Sequence, residues 1–145
     1  MRHHPERGST VPLIVCACTF ALAVIWVCTA ATSLYITRKQ LLSVADAAAL
    51  AAAESFSLAD VTLSAPGTVT LTLNDRDVRL AAERSVSASP TKLTHLELQS
   101  ATTPDGVSAR VVVAADWAPP LIAAILPAHL SISAESTART AFSTR

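Results

Sequence analysis

Glycine is nearly absent from this chain: Gly8, Gly67 and Gly106 are the only three in 145 residues. Isolated glycines cannot build the Gly-rich turn that cradles a phosphate, so nucleotide-binding loops of that kind are excluded. Aromatic residues make up only 4% of the sequence, so any core must be mostly aliphatic. Charge of one sign is lacking as well. Eleven basic residues balance eleven acidic ones, which argues against the basic face that nucleic-acid phosphates require. Cysteine is limited to Cys16, Cys18 and Cys28, all inside one apolar run. Cys18 and Cys28 are too far apart to meet within one helix, and Cys16 and Cys18 point to different sides. Neither a disulfide framework nor a metal-ligand spacing results. They read as small apolar fillers.

What the sequence does have is uneven. The hydrophobic fraction is 51%, but 28 of those residues are alanines, which bury little surface each. Sixteen of the larger apolar residues fall within positions 11–36, and the other 119 positions share 30. Such a remainder makes a thin core, because burial at roughly 25 cal/mol per Å² has to offset chain entropy. The zero net charge hides a similar split. Residues 1–39 carry Arg2, Arg7, Arg38 and Lys39 against Glu6, and the rest of the chain is net acidic by the same amount.

Between Gly8 and Thr37 no residue is charged. A membrane-spanning helix needs about 20 largely apolar residues, at about 1.5 Å each, and positions 11–36 are a largely apolar run of 26. Tyr35 ends this run beside Arg38 and Lys39, where an interfacial ring and its flanking cations belong. A cleavable signal peptide is the rival reading. Its apolar region is usually about 7–15 residues, shorter than this one, although the small residues around Ala30 and Ala31 offer a cleavage site. Cleavage there would release a secreted, non-catalytic binding module. Positive charges flank both ends, so charge does not set the orientation.

The helix is expected to continue beyond the apolar run. Residues 37–56 contain neither Gly nor Pro, and 45–53 read ADAAALAAA, a strongly helix-forming composition. Leu34, Leu41, Ala45, Ala48, Ala52 and Phe56 fall on one helical stripe. A helix over about 13–57 would therefore have a lipid half and a stalk half. An isolated Ala-rich stalk is marginal in water, so the stripe should pack on something. Beyond it, 60–64 and 67–73 alternate as strands around a turn at Pro66-Gly67. Asn74 or Asp75 caps a short helix that ends by Ser89-Pro90. A hairpin follows, with strands over 92–99 and 107–117 joined by Thr103-Pro104-Asp105-Gly106. Pro119-Pro120 breaks the second strand, an apolar helical turn spans 121–126, and a last strand covers 129–133.

Little of this carries chemistry. His95 reads as a satisfied or polar-facing residue of a strand, and His129 as a turn residue. His3 and His4 have no third metal ligand in the sequence. Asp116 reads as a solvated strand-end carboxylate. Residues 117–121, Trp-Ala-Pro-Pro-Leu, suit either ordinary packing or an exposed apolar lip. No serine sits in a G-x-S-x-G elbow. An enzyme is not expected, nor a cofactor, a metal or a small-molecule substrate.

The order of features resembles a known family. Glu6-Arg7-Gly8-Ser9 leads into the apolar helix, then through Leu34-Tyr35 and Arg38-Lys39-Gln40-Leu41 into the alanine run at 45–53. This succession is similar to the amino-terminal segment of TadE/TadG-like proteins of bacterial tight-adherence, Flp-type pilus systems, and covers about residues 6–56. The later part of the chain fits more loosely, through Val111–Val113, Pro119-Pro120 and a final strand over 132–139. The resemblance implies an extracytoplasmic carboxyl-terminal domain on a membrane helix. Pilin-like relatives are processed at a Gly followed five positions on by Glu. Here that position is Leu13, which favours a retained, more TadG-like anchor.

The expected fold class is α+β: a long amino-terminal transmembrane and stalk helix with a small antiparallel-sheet head, pilin-like. Its expected parts are a cytoplasmic segment (1–10), a transmembrane helix (11–36), a stalk (37–57) and an extracytoplasmic head (58–145). Leu41, Ala45, Ala48, Ala52 and Phe56 are the expected helix-packing residues. Tyr35, Arg38 and Lys39 are expected at the membrane interface. Expected partners are the lipid bilayer and, through the helix, other pilus or secretion-system subunits.

Overall fold

The computed structural model describes residues 10–55, 61–64, 68–120 and 129–139. Helix α1 runs Thr10–Ala53, 44 residues without a break, or about 66 Å at the α-helical rise. Pro12 is tolerated because it lies in the first turn, where its missing N–H has no intrahelical partner to lose. Beyond it nothing in α1 is Gly or Pro. Strands β1 (Val61–Ser64) and β2 (Thr68–Leu71) form a two-stranded antiparallel hairpin, with Val61 opposite Leu71 and Ser64 opposite Thr68. Helix α2 (Asp75–Ser87) starts at Asn74, whose side-chain oxygen accepts from the Arg76 amide. Asp75 and Asp77 fall in its first turn, where the helix dipole favours negative charge.

Three strands complete the head: β3 (Thr94–Thr102), β4 (Ser108–Trp117) and β5 (Leu130–Arg139), in the order β3-β4-β5. β4 and β5 pair in register over ten consecutive residue pairs, from Ser108 opposite Arg139 to Trp117 opposite Leu130. β3 is less regular. Its register slips between Thr94 and Glu97 and again between Leu98 and Ser100, and His95 adopts a left-handed φ of 50°. The fold is α+β.

Helices α1 and α2 lie on one face of this sheet, α1 against β4 and β5, α2 against β3. The core is the contact between the two layers. From β4 it takes Ala109, Val111, Val113 and Ala115; from α2, Val78 and Ala82; from α1, Leu41, Ala45, Ala48, Ala49, Ala52 and Ala53. Ten of its fifteen buried residues are alanine. Large side chains are few, so Leu41, Val78, Val111 and Val113 carry a disproportionate share of the burial. Alanines let the helix backbone approach the sheet closely. The thin core read in the composition is real, and it is completed by the helix.

The pieces outside the sheet are tied down by backbone hydrogen bonds. The Leu73 amide donates to the Gly106 carbonyl at 2.7 Å, and the Thr103 amide to Asp75 Oδ1 at 2.7 Å. These link the start of α2 to the β3–β4 turn. Gly106 itself sits at φ 71°, a conformation that costs any other L-residue about 1 kcal/mol. The expected apolar turn at 121–126 and the Pro66-Gly67 turn fall outside the described residues.

Candidate functional site

The feature that sets this molecule apart is α1, because its two halves meet different surroundings. From Thr10 to Ile25 every residue is exposed, including Leu13, Ile14, Phe20, Leu22 and Ile25. Sixteen consecutive residues of this kind cannot be stable facing water. Four threonine hydroxyls along α1 are satisfied within the helix. The hydroxyls of Thr19, Thr29, Thr32 and Thr37 each donate to the carbonyl four residues earlier, at 2.8–2.9 Å. That arrangement removes their main cost in an apolar medium. The helix is long and apolar enough to cross a membrane. Cys16, Cys18 and Cys28 are free thiols on its surface.

The far half is part of the head. Leu41, Ala45, Ala48 and Ala52 are each fully buried. Val44, Ala49 and Ala53, one position off the expected stripe, are buried as well. The covered face is wider than a single stripe because two elements flank it: the sheet on one side and α2 on the other. The small residues that suit close helix packing are therefore occupied by the chain's own head. Phe56 lies outside the described residues. Tyr35, Arg38 and Lys39 are all exposed on the helix.

Between the two halves the head reaches down the helix at two points. Trp117 Nε1, at the end of β4, donates to Ser33 Oγ at 3.3 Å. Trp26 Nε1 donates to the Pro120 carbonyl at 3.2 Å. The chain has only two tryptophans, and both use the indole N–H to join helix to head. Nothing in the local sequence announces these contacts, which link residues 84 and 94 positions apart. Trp117 thus packs on the helix, while its neighbours Pro119 and Pro120 are half-buried.

The titratable residues do not converge on a cleft. His95 Nδ1 lies 3.0 Å from Asp116 Oδ2 on the outer edge of the sheet, with the His95 side chain 69% exposed. His129 is exposed at the start of β5, and His3 and His4 lie outside the described residues. Arg110 and Glu135 pair across β4 and β5 at 3.3 Å, both half-exposed, a geometry that contributes about 1 kcal/mol at most. Asp105 has the strongest local environment. Its carboxylate accepts from the Ser108 amide at 2.6 Å, the Val107 amide at 3.0 Å and the Ser108 hydroxyl at 2.8 Å. These bonds, the Ser108 amide first, hold its carboxyl below the ordinary value of 3.8. A depressed folded pKa stabilises the fold fully above that ordinary value, and the contribution disappears as pH falls through the folded one. Asp105→Asn should therefore lower the thermal midpoint at neutral pH and narrow its difference from the native chain in strong acid. A difference that stays constant with pH would show that the carboxylate charge is not what the turn uses.

These observations define a class: a single membrane-length helix whose second half is built into a small α+β head, with no convergent polar site among the described residues. Residues 8–55 match the family model described as putative Flp pilus-assembly TadE/G-like. The match begins just before α1 and ends just after it, so the TadE/TadG-like resemblance is shown over this amino-terminal third of the chain. The match supports a role related to Flp/Tad pilus assembly. No curated protein and no solved structure matches the chain.

Proposed function

We propose that this chain is a membrane-anchored, non-catalytic component of a bacterial Flp/Tad-type pilus or related secretion apparatus, a minor pilin-like or assembly subunit. The observation that carries the reading is the coincidence of the family match with α1, whose inner half is bare and apolar and whose outer half is the head's own core. The bare half holds the subunit in the cytoplasmic membrane, and the head stands on the extracytoplasmic side. Contacts with other subunits in the membrane use the helix surface over 10–25, because the alanine face above it is covered by the head. Lipid and neighbouring pilus subunits are the partners. Nucleic acid and small-molecule substrates are not.

Deletion of the gene in the producing bacterium tests this. The expected result is loss of surface Flp pili, counted by electron microscopy or as sheared pilin, with recovery on complementation. Normal piliation in the deletion strain would refute a role in assembly.

A further inference from the structure

The apolar run is longer than a bilayer requires, and the head meets the surplus. From Thr10 to Ile25 the helix is bare over 16 residues, or about 24 Å, whereas the hydrocarbon core is about 30 Å thick. Arg7 is the last charge before the run, so the helix can enter the core no earlier than about Thr10. The far edge of the hydrocarbon then falls about four residues beyond Ile25, between Trp26 and Ser33. Those are the two residues that the head touches through Pro120 and Trp117. They lie about 5 Å below and about 6 Å above that edge along the helix, so the head's two contacts bracket the boundary between hydrocarbon and headgroups.

The composition of this corner fits that depth. Trp117 stands opposite Leu130 in the sheet register. Leu130 is 55% exposed although it is a large aliphatic residue, and Pro119 and Pro120 continue the apolar surface towards Trp26. Both tryptophans have an apolar body and a bonded N–H, the form that gathers at membrane interfaces. The carboxylate at this end of the sheet, Asp116, is held by His95. Tyr35, Arg38 and Lys39 follow further up the helix, on the water side of this level.

We propose that the head is seated on the bilayer, with the corner formed by Trp117, Pro119, Pro120 and Leu130 lodged at the boundary between headgroups and hydrocarbon and in contact with lipid. The proposal rests on the membrane-anchor reading above. It adds that the head does not stand off on a free stalk, and that its orientation to the membrane is fixed by two indole hydrogen bonds.

The full chain reconstituted in phosphatidylcholine vesicles tests it. Trp26→Phe leaves Trp117 as the sole tryptophan, and Trp117→Phe leaves Trp26. Each is read with lipids brominated either near the headgroup or near the chain terminus. The expected result is co-flotation of both variants with the vesicles, quenching of Trp26, and quenching of Trp117 that is stronger from the shallow bromines. Co-flotation with Trp26 quenched but Trp117 unquenched would leave the anchor standing and overturn the seat. Stronger quenching of Trp117 by the deep bromines would also overturn it. Failure to float would defeat the anchor and the seat together. Leu130→Cys carrying a nitroxide, in a chain with Cys16, Cys18 and Cys28 replaced by Ala and both tryptophans kept, gives an independent reading, since Leu130 is already exposed; collision with oxygen in excess over a water-soluble nickel chelate is expected, and the reverse would overturn the seat.

Discussion

Ala48→Arg unfolds the head. Ala48 is fully buried in the layer between α1 and the sheet, with no room for a longer side chain and no carboxylate in the core to receive its charge. An unpaired buried charge costs about 3–5 kcal/mol, and forcing extra volume into a packed layer adds about 1–3 kcal/mol. A small domain has about 5–15 kcal/mol in total. With ten alanines among its fifteen core residues, this head belongs near the low end of that range. The expected result is rapid proteolysis of the head in detergent-solubilised protein and loss of its cooperative melting. Ala47→Arg is the control, since Ala47 is exposed one position away and has equal effect on helix propensity. Equal protease resistance in the two variants would show that the alanine face is not the core.

A fragment beginning at residue 61 does not fold. Six of the fifteen core residues are on α1, and without them Val111, Val113 and Ala134 face water across a three-stranded sheet backed by one short helix. Such a sheet needs a covering layer to be stable on its own. A fragment beginning at residue 38 restores Leu41 through Ala53 and should fold. Circular dichroism melting and amide dispersion separate the two, with a cooperative transition expected for the longer fragment alone. A folded, cooperative 61–145 fragment would mean that the helix is an attachment rather than part of the head.

How much of this was legible in the sequence depended on the contrast between neighbouring residues. The helix was easy to read because one run combined no charge, no Gly, and then nearly pure alanine. Strand β5 was harder. Alternation marks it only to about Ser133, because Ser-Ala-Glu-Ser-Thr-Ala sets small residues against small polar ones and the two faces differ little; the family resemblance extended it to Arg139, where the structure ends it. β3 alternates only from Leu96, and the slip between Thr94 and Glu97 with the left-handed His95 explains why. The width of the buried face on α1 was not legible. A stripe marks the direction of burial, whereas Val44 falls on one flank of it and Ala49 and Ala53 on the other, and the face is that wide because α1 meets both the sheet and α2. The contacts of Trp26 and Trp117 join distant parts of the chain through a carbonyl and a hydroxyl, and no local pattern specifies either.

On the proposed reading, one uncleaved helix serves as anchor in its first half and as core in its second, with the head outside the cytoplasm. Protease shaving of spheroplasts from cells carrying the chain with a carboxyl-terminal epitope tests it most directly. The expected result is full-length chain in the membrane fraction, with added protease removing the epitope without lysis while a fragment bearing the original amino terminus stays in the membrane. An epitope that resists until the cells are lysed, or a soluble mature chain beginning near Thr32, would contradict it.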